Sequence, residues 1–233
     1  MLEFLNKYAM YLFVLAGLLL GIPAVWKQRD SAGVPSRSVV LLCVLYSVCS
    51  VISAMLFAQI ESFLSSGTAG GRGAISTYGI YFIGSAMMLI FSKILRLPVT
   101  GVMDLYALYA MPSFFMLRLN CLRAGCCYGL PMFNTGLCWP TRETELIFYV
   151  VMFVILWRLL RKNEIPGQLF PLLMASYGIF RFVNQWFRDT GTPGFHMSHG
   201  WSLLCALIGL SLYFELRAHK VKQSSSGQTR KKR

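Results

Sequence analysis

Two short stretches concentrate the residues able to do chemistry. Residues 118–129 read RLNCLRAGCCYG, and residues 177–188 read YGIFRFVNQWFR. The first sets Arg118 and Arg123 among Cys121, Cys126 and Cys127; the second sets Arg181 and Arg188 among aromatic side chains. A guanidinium presents a planar fork of N–H donors that fits phosphate or carboxylate oxygens two at a time. Several such forks on one anion bind it and stabilise charge that develops on it. Arg181 is the most telling, because it lies well inside an apolar run and needs a partner or a wet cavity there. Arg118 and Arg188 sit at the ends of apolar runs, where an arginine also serves as an interfacial anchor. A lipid phosphate is the simplest common partner for all of them.

The elements that carry these residues are apolar. Apolar residues make up 56% of the chain and charged residues only 13%, and the mean hydropathy is +0.57. A soluble domain carries roughly a quarter charged residues. Seven apolar runs stand out, at about 8–26, 38–58, 75–95, 99–117, 144–160, 166–187 and 199–216, of which the fourth and sixth carry polar residues. Runs of this length read as bilayer-spanning helices. The first is too long for a signal peptide and lacks a small-residue cleavage site, so it reads as a span. The expectation is an all-α integral membrane protein of about seven transmembrane helices over residues 1–217. A basic, disordered cytoplasmic tail is expected over 218–233. Residues 118–143, with their glycines and Pro131, read as an irregular segment after the fourth helix, and 59–74 as an outer Gly/Ser-rich loop.

Charge sets the orientation. Seven spans divide the basic residues fifteen against seven, the larger set including Lys27, Arg29, Lys93, Arg96, Arg158, Arg161, Lys162 and the tail. The positive-inside rule places that set in the cytoplasm, so the N-terminus is expected outside and the C-terminus inside. The net charge of +13 is then mostly cytoplasmic anchoring, and nothing points to nucleic acid. Of the seven outer basic residues, Arg118, Arg123, Arg142, Arg181 and Arg188 fall in or between the two stretches. A transporter or channel would spread polar residues along a pore, whereas here they gather on one side.

Cys43, Cys49 and Cys205 lie inside apolar runs and read as small fillers. Cys121, Cys126, Cys127 and Cys138 cluster on the outer side, where disulfides persist. Four readings stay open for them: a disulfide, a zinc site, a thiolate activated by Arg118 and Arg123, or close packing beside Gly125 and Gly129. The paired C-x2-C spacing of zinc sites is missing, so neither a metal nor any other cofactor is expected.

These motifs resemble those of the prolipoprotein diacylglyceryl transferase family over roughly residues 75–215. LRLNCLRAGCCYG is similar to the family signature, with Arg118 at the essential arginine and Tyr128–Gly129 at its end. Asp104 and Pro112 stand where the family has an Asp and a Pro upstream. WPTRETE resembles its His-Pro-Thr-Gln-Leu-Tyr-Glu stretch in Pro140, Thr141 and Glu145, and IPGQLF its Pro-Gly-Gln turn. YGIFRFVNQWFR keeps Tyr177, Gly178, Arg181 and Arg188, and HMSHGWSLL keeps Ser202. The departures are equally specific. The family's His-Gly-Gly is Tyr78-Gly79-Ile80 here; its signature Asn aligns with Cys121 and its signature Glu with Cys126. Gln185 replaces the Glu four residues after the second arginine.

The resemblance implies a multi-pass enzyme of the bacterial inner membrane, with the N-terminus out and the C-terminus in. Such an enzyme moves the diacylglyceryl group of phosphatidylglycerol to a prolipoprotein cysteine. A thiolate attacks a glycerol carbon and glycerol-1-phosphate leaves. Arg118 and Arg181 are the expected catalytic pair on the phosphate, with His199 as a base and Tyr78 as a headgroup donor. Arg123, Tyr128, Gly129, Tyr177, Gln185 and Arg188 are expected around the substrate. Glu145 and Asp104 are expected there too, pairing with the arginines and fixing their geometry. The changed thiol-handling positions keep two alternatives open: a paralogue with another acceptor, and a non-catalytic phospholipid-binding protein.

Overall fold

The structure is a computed structural model that describes residues 2–67, 75–132, 137–162, 164–190 and 194–231, without the side chains of 2–8 and 221–231. The part of the Gly/Ser-rich loop that carries Arg72, the side chain of Lys7 and those of the tail from residue 221 lie outside the described residues.

Helices dominate. In chain order they are α1 (Leu2–Gln28), α2 (Ser36–Ser66), α3 (Thr77–Gly79), a π-helical turn (Ile80–Gly84), α4 (Ser85–Ile94), α5 (Val99–Ala124), α6 (Thr141–Lys162), α7 (Leu169–Gln185) and α8 (Met197–Lys231). The π turn joins α3 to α4 in one continuous rod. Helices satisfy every backbone group internally, which hydrocarbon demands. Among the described residues, four stretches, Ala9–Gln28, Ser36–Ser66, Thr77–Ile94 and Met197–Lys220, are long and apolar enough to cross a membrane. The exterior of the bundle is correspondingly greasy: Leu15, Leu19, Val40, Val44, Leu203 and Leu207 are exposed. The chain is thus an α-helical membrane protein.

Its interior also holds polar side chains, among them Ser53, Asp104, Asn184 and Ser202. Helix α5 is buried from Gly101 to Met111, and its tyrosine hydroxyls find partners inside the bundle. Tyr109 Oη meets Ser47 Oγ at 2.6 Å, and Tyr46 Oη donates across to the Val102 carbonyl at 2.8 Å. Helices α7 and α8 touch backbone to backbone. A Cβ on Gly178 would stand 2.4 Å from the Ala206 nitrogen, and one on Gly209 2.4 Å from the Ala175 nitrogen. Only glycine allows that approach, the usual device where helices associate without a hydrophobic drive.

Three boundaries differ from the sequence expectation. Helix α2 runs on through Gln59–Ser66 before Gly67 ends it in the left-handed region at φ 68°. Ile60, Phe63 and Leu64 keep an apolar face there, so the loop starts later and Glu61 is helical. Helix α5 runs on to Ala124, and Gly125 caps it at φ 64°. The irregular segment therefore begins at Gly125, because LRLNCLRA is a run of helix-compatible residues until glycine breaks it. It contains a small antiparallel pair, β1 (Pro131–Met132) with β2 (Leu137–Cys138), an exception to the all-α expectation. Helix α8 has no break at residue 218, where the basic tail was expected to begin.

Asp104 belongs to this scaffold. Its carboxylate accepts from the backbone N–H of Gly167 at 2.7 Å and of Leu169 at 2.8 Å. Gln168 provides no side-chain cap for α7, so Asp104 satisfies the orphan donors of that helix start. The expectation that Asp104 pairs with an arginine is corrected here. Fourteen residues of helix, roughly 20 Å, separate it from Arg118.

Candidate functional site

The two stretches meet in space. Residues 128–130 pair with 187–189: Leu130 N–H donates to the Phe187 carbonyl at 2.8 Å and Asp189 N–H to the Tyr128 carbonyl at 3.0 Å. Gly129 and Arg188 face each other in this antiparallel bridge. Glycine is required at 129, since a Cβ would lie 2.2 Å from the Trp139 carbonyl oxygen.

Above this junction Arg118 and Arg181 converge on one carboxylate. Arg118 Nε pairs with Glu145 Oε2, and Arg181 Nη1 with Glu145 Oε1. Both Glu145 and Arg181 are buried, at 2% and 5% exposure. Asn184 completes the cluster, its Nδ2 donating to Glu145 Oε1 at 3.2 Å and to the Thr141 carbonyl at 3.1 Å. Two cations against one carboxylate leave surplus positive charge, and the Nε of Arg181 has no hydrogen-bond partner among the described residues.

That surplus faces a cavity of about 400 Å³ lined by Arg118, Arg181, Arg188, Tyr78, Tyr177, Asn120, Glu61 and the thiols of Cys121, Cys126 and Cys127, among others. Tyr78 is fixed by Ser202 Oγ at 2.6 Å and stands edge-on to Tyr177 at 6.1 Å between ring centroids. A second, apolar groove of about 590 Å³ between α1, α2 and α5 shares Met10, Ile75 and Leu117 with the first cavity. A polar chamber rich in arginine thus adjoins a greasy channel.

The thiols sit at the mouth. Arg188 Nη2 lies 2.8 Å from Cys127 Sγ, and Cys126 Sγ lies 3.7 Å from Cys127 Sγ. A hydrogen bond from Cys121 holds the Cys127 thiol down, at about 4, with the Arg188 and Arg118 charges adding to it against the effect of burial. Burial, and then the negative charge of Cys127, push Cys126 up. Burial and the neighbouring Arg181 charge lower Arg188. Cys127 itself has left-handed backbone, φ 62°.

A family model described as Prolipoprotein diacylglyceryl transferase matches residues 5–215. The chain belongs to the prolipoprotein diacylglyceryl transferase family. Two relatives named phosphatidylglycerol–prolipoprotein diacylglyceryl transferase are similar to it at modest identity. The one from Clostridium tetani is 27% identical over 158 residues, covering 58% of this chain and 61% of the relative. The one from Polaromonas sp. is 29% identical over 66 residues, covering 27% of this chain and 24% of the relative. The chain therefore spans less than two thirds of the length of either relative.

Other expected site residues in this family member fall elsewhere. His199 is absent from the cavity lining. Its ring, 1% exposed, is enclosed by Trp186, Phe182 and Phe195, and its Nδ1 accepts from the His196 N–H at 3.0 Å. Arg123 is exposed on the far side of α5 from the cavity lining. Tyr128 is exposed and stacks under the Arg142 guanidinium at 4.2 Å. Gln185 is buried at the end of α7, and its Oε1 has no partner among the described residues. Cys138 is exposed on β2, apart from the other three thiols.

Three cluster members escaped the sequence reading. Glu61 falls within the expected outer loop 59–74, although its apolar neighbours keep helical spacing. Asn120 was hidden by alignment of the adjacent Cys121 with the family's Asn. Asn184 had the clearest signal, lying one turn after Arg181 on the same helix face.

Proposed function

We propose that this protein is a phospholipid-dependent transferase that moves the diacylglyceryl group of phosphatidylglycerol to the cysteine thiol of a prolipoprotein. The observation that carries this reading is the convergence of Arg118, Arg181 and Arg188 on one cavity that adjoins an apolar groove. A phosphodiester headgroup fits the arginine chamber and acyl chains fit the groove. The seven helical rods then act as seven spans, with the N-terminus outside, the C-terminus cytoplasmic and the site on the outer face of a bacterial inner membrane.

The electrostatics suit the leaving group. The phosphodiester carries one negative charge. When the acceptor thiolate forms its bond to the glycerol carbon, the carbon–oxygen bond breaks and its electron pair goes to the phosphate oxygen. The departing glycerol phosphate then carries a second negative charge. The guanidiniums of Arg118, Arg181 and Arg188, gathered on one cavity, favour that doubly charged state, which is stabilisation specific to the transition state. Glu145 orients Arg118 and Arg181 so that their outward N–H groups need no reorganisation.

The alternative acceptor remains a second reading because Cys121, Cys126 and Gln185 stand where the family has Asn, Glu and Glu. The deciding experiment is transfer in proteoliposomes, with radiolabelled phosphatidylglycerol and a peptide bearing a lipoprotein-type cysteine. Label on that cysteine, abolished in Arg118→Ala and Arg181→Ala, supports the transferase. Arginine-dependent lipid binding without label on the peptide favours another acceptor.

A further inference from the structure

The thiol cluster offers a solution to a problem the proposed reaction leaves open. The acceptor thiol must lose its proton, yet His199 is packed among aromatic rings away from the cavity lining, and the family's signature Glu is a cysteine here. Beside the arginines, Glu61 and two tyrosines, the cavity presents a cluster of sulfur atoms. The Sγ atoms of Cys121, Cys126 and Cys127 all lie within 4.8 Å of one another. Three thiolates bound to one zinc ion at about 2.3 Å stand roughly 3.8 Å apart in tetrahedral geometry. The Cys126–Cys127 separation is already 3.7 Å.

We propose that Cys121, Cys126 and Cys127 form a three-thiolate site for one soft divalent transition-metal ion, zinc above all, whose open fourth position takes the acceptor thiol. This rests on the transferase reading given above. Three protein ligands and one open position is the pattern of catalytic zinc, whereas structural zinc is closed by four. Cys138, which a closed site would recruit, is not among the gathered thiols. The three ligands line the same cavity as the phosphate-binding arginines, and Cys126 is exposed, so a peptide cysteine has access.

The surroundings suit such a site. Three thiolates and a divalent ion carry one net negative charge, and a bound acceptor thiolate adds another. Arg188, which donates to Cys127 Sγ at 2.8 Å, and Arg118 on the cavity wall oppose that charge. An N–H bond to a ligating sulfur is the kind of outer contact that orients metal ligands. Cys127 also holds a left-handed conformation at φ 62°. Such strain persists where the surrounding structure has a use for it, and here it accompanies the gathering of two adjacent cysteines onto one centre. The spacing lacks the C-x2-C signature because a helix end supplies Cys121 and the turn after it supplies the other two.

The step balances. On coordination the acceptor thiol gives its proton to water at the cavity mouth, since a coordinating thiol is deprotonated outright. The sulfur lone pair forms the bond to the glycerol carbon and the carbon–oxygen bond to phosphate breaks. The thioether product is a poorer ligand and leaves. The metal neither gains nor loses electrons.

The test uses the full chain, reduced and metal-free, in lipid nanodiscs. Zinc is titrated against a chromophoric chelator, cobalt is used as the spectroscopic stand-in, and cysteine alkylation is read by mass spectrometry with and without zinc. The expected result is stoichiometric uptake, a thiolate-to-cobalt charge-transfer band, and protection of Cys121, Cys126 and Cys127 but not Cys138. Cys138→Ser should bind as the parent does, Cys127→Ser should lose the band, and Arg188→Gln should bind about 10–100-fold more weakly. Adding a cysteine peptide should intensify the band, and a serine peptide should not. Unchanged alkylation in the parent at saturating zinc would overturn the site without relying on any variant. Zinc uptake with no spectral response to the cysteine peptide would overturn the open-position assignment. Metal and peptide binding without lipid transfer would leave the site standing and count against diacylglyceryl transfer instead.

Discussion

Arg118 on α5 and Arg181 on α7 reach opposite oxygens of a single buried carboxylate, that of Glu145 on α6. Three helices that are distant in sequence are thereby tied at one point, and the two cations are aimed at a shared cavity. Replacing either arginine by alanine should lower transfer by roughly 10²–10³-fold, the usual cost of a donor on developing charge. Arg181→Lys should retain the fold and lose most of the rate, because a point charge cannot hold two oxygens in one plane. Label transfer at saturating lipid, alongside melting in detergent, separates loss of rate from loss of fold.

Glu145→Ala leaves the buried Arg181 and the largely covered Arg118 without their counter-ion. Breaking a buried pair in this way costs about 3–5 kcal/mol, so the variant should melt markedly lower than the parent. The double substitution Glu145→Leu with Arg181→Met should recover part of that loss while remaining inactive. A double variant no more stable than Glu145→Ala would argue against the ion pair as the source.

Asp104 tests the opposite expectation. It accepts two backbone N–H bonds at the start of α7. Asp104→Ala should destabilise by roughly 1–3 kcal/mol, the cost of leaving buried donors unpaired. Activity per folded molecule should hardly change. A fall in rate without any fall in melting temperature would place Asp104 in the chemistry after all.

His199 separates packing from catalysis. Its ring fills an aromatic cage with Trp186, Phe182 and Phe195. His199→Phe should keep most of the transfer activity, whereas His199→Ala should lose stability through the void it leaves. Equal and complete inactivation of both, with folding intact, would restore the histidine as a base.

The number of spans is open to a labelling test in a background with the other cysteines removed. Seven spans put Cys138, on the small hairpin, and a cysteine introduced at Lys220 on opposite sides of the membrane. A membrane-impermeant maleimide added to intact cells should label the first and spare the second until the membrane is permeabilised. Labelling of both from outside would reduce the crossings between them to an even number.

Much of this was readable from residue order alone, and the reason is that the deciding physics is local. Whether a run such as 38–58 enters hydrocarbon depends on the summed transfer cost of its own side chains, so the helical membrane architecture needed no partner to be visible. The cost of burying Arg181 is equally local, and it marked that residue as requiring company. The sequence offered two carboxylates for it, Glu145 and Asp104, without a means to choose between them. That Glu145 rather than Asp104 supplies the counter-charge depends on how α5, α6 and α7 are rotated and displaced against one another. Close glycine contacts such as Gly178 and Gly209 against α8 and α7 help to set that packing. The same holds for the cysteines. Their spacing fits no metal signature, yet the left-handed turn after Gly125 brings three sulfurs together and leaves Cys138 out. Sequence determined the solvent, the elements and the residues that needed explaining. Tertiary packing decided which of them meet, because convergence depends on distances between helices that no single segment specifies.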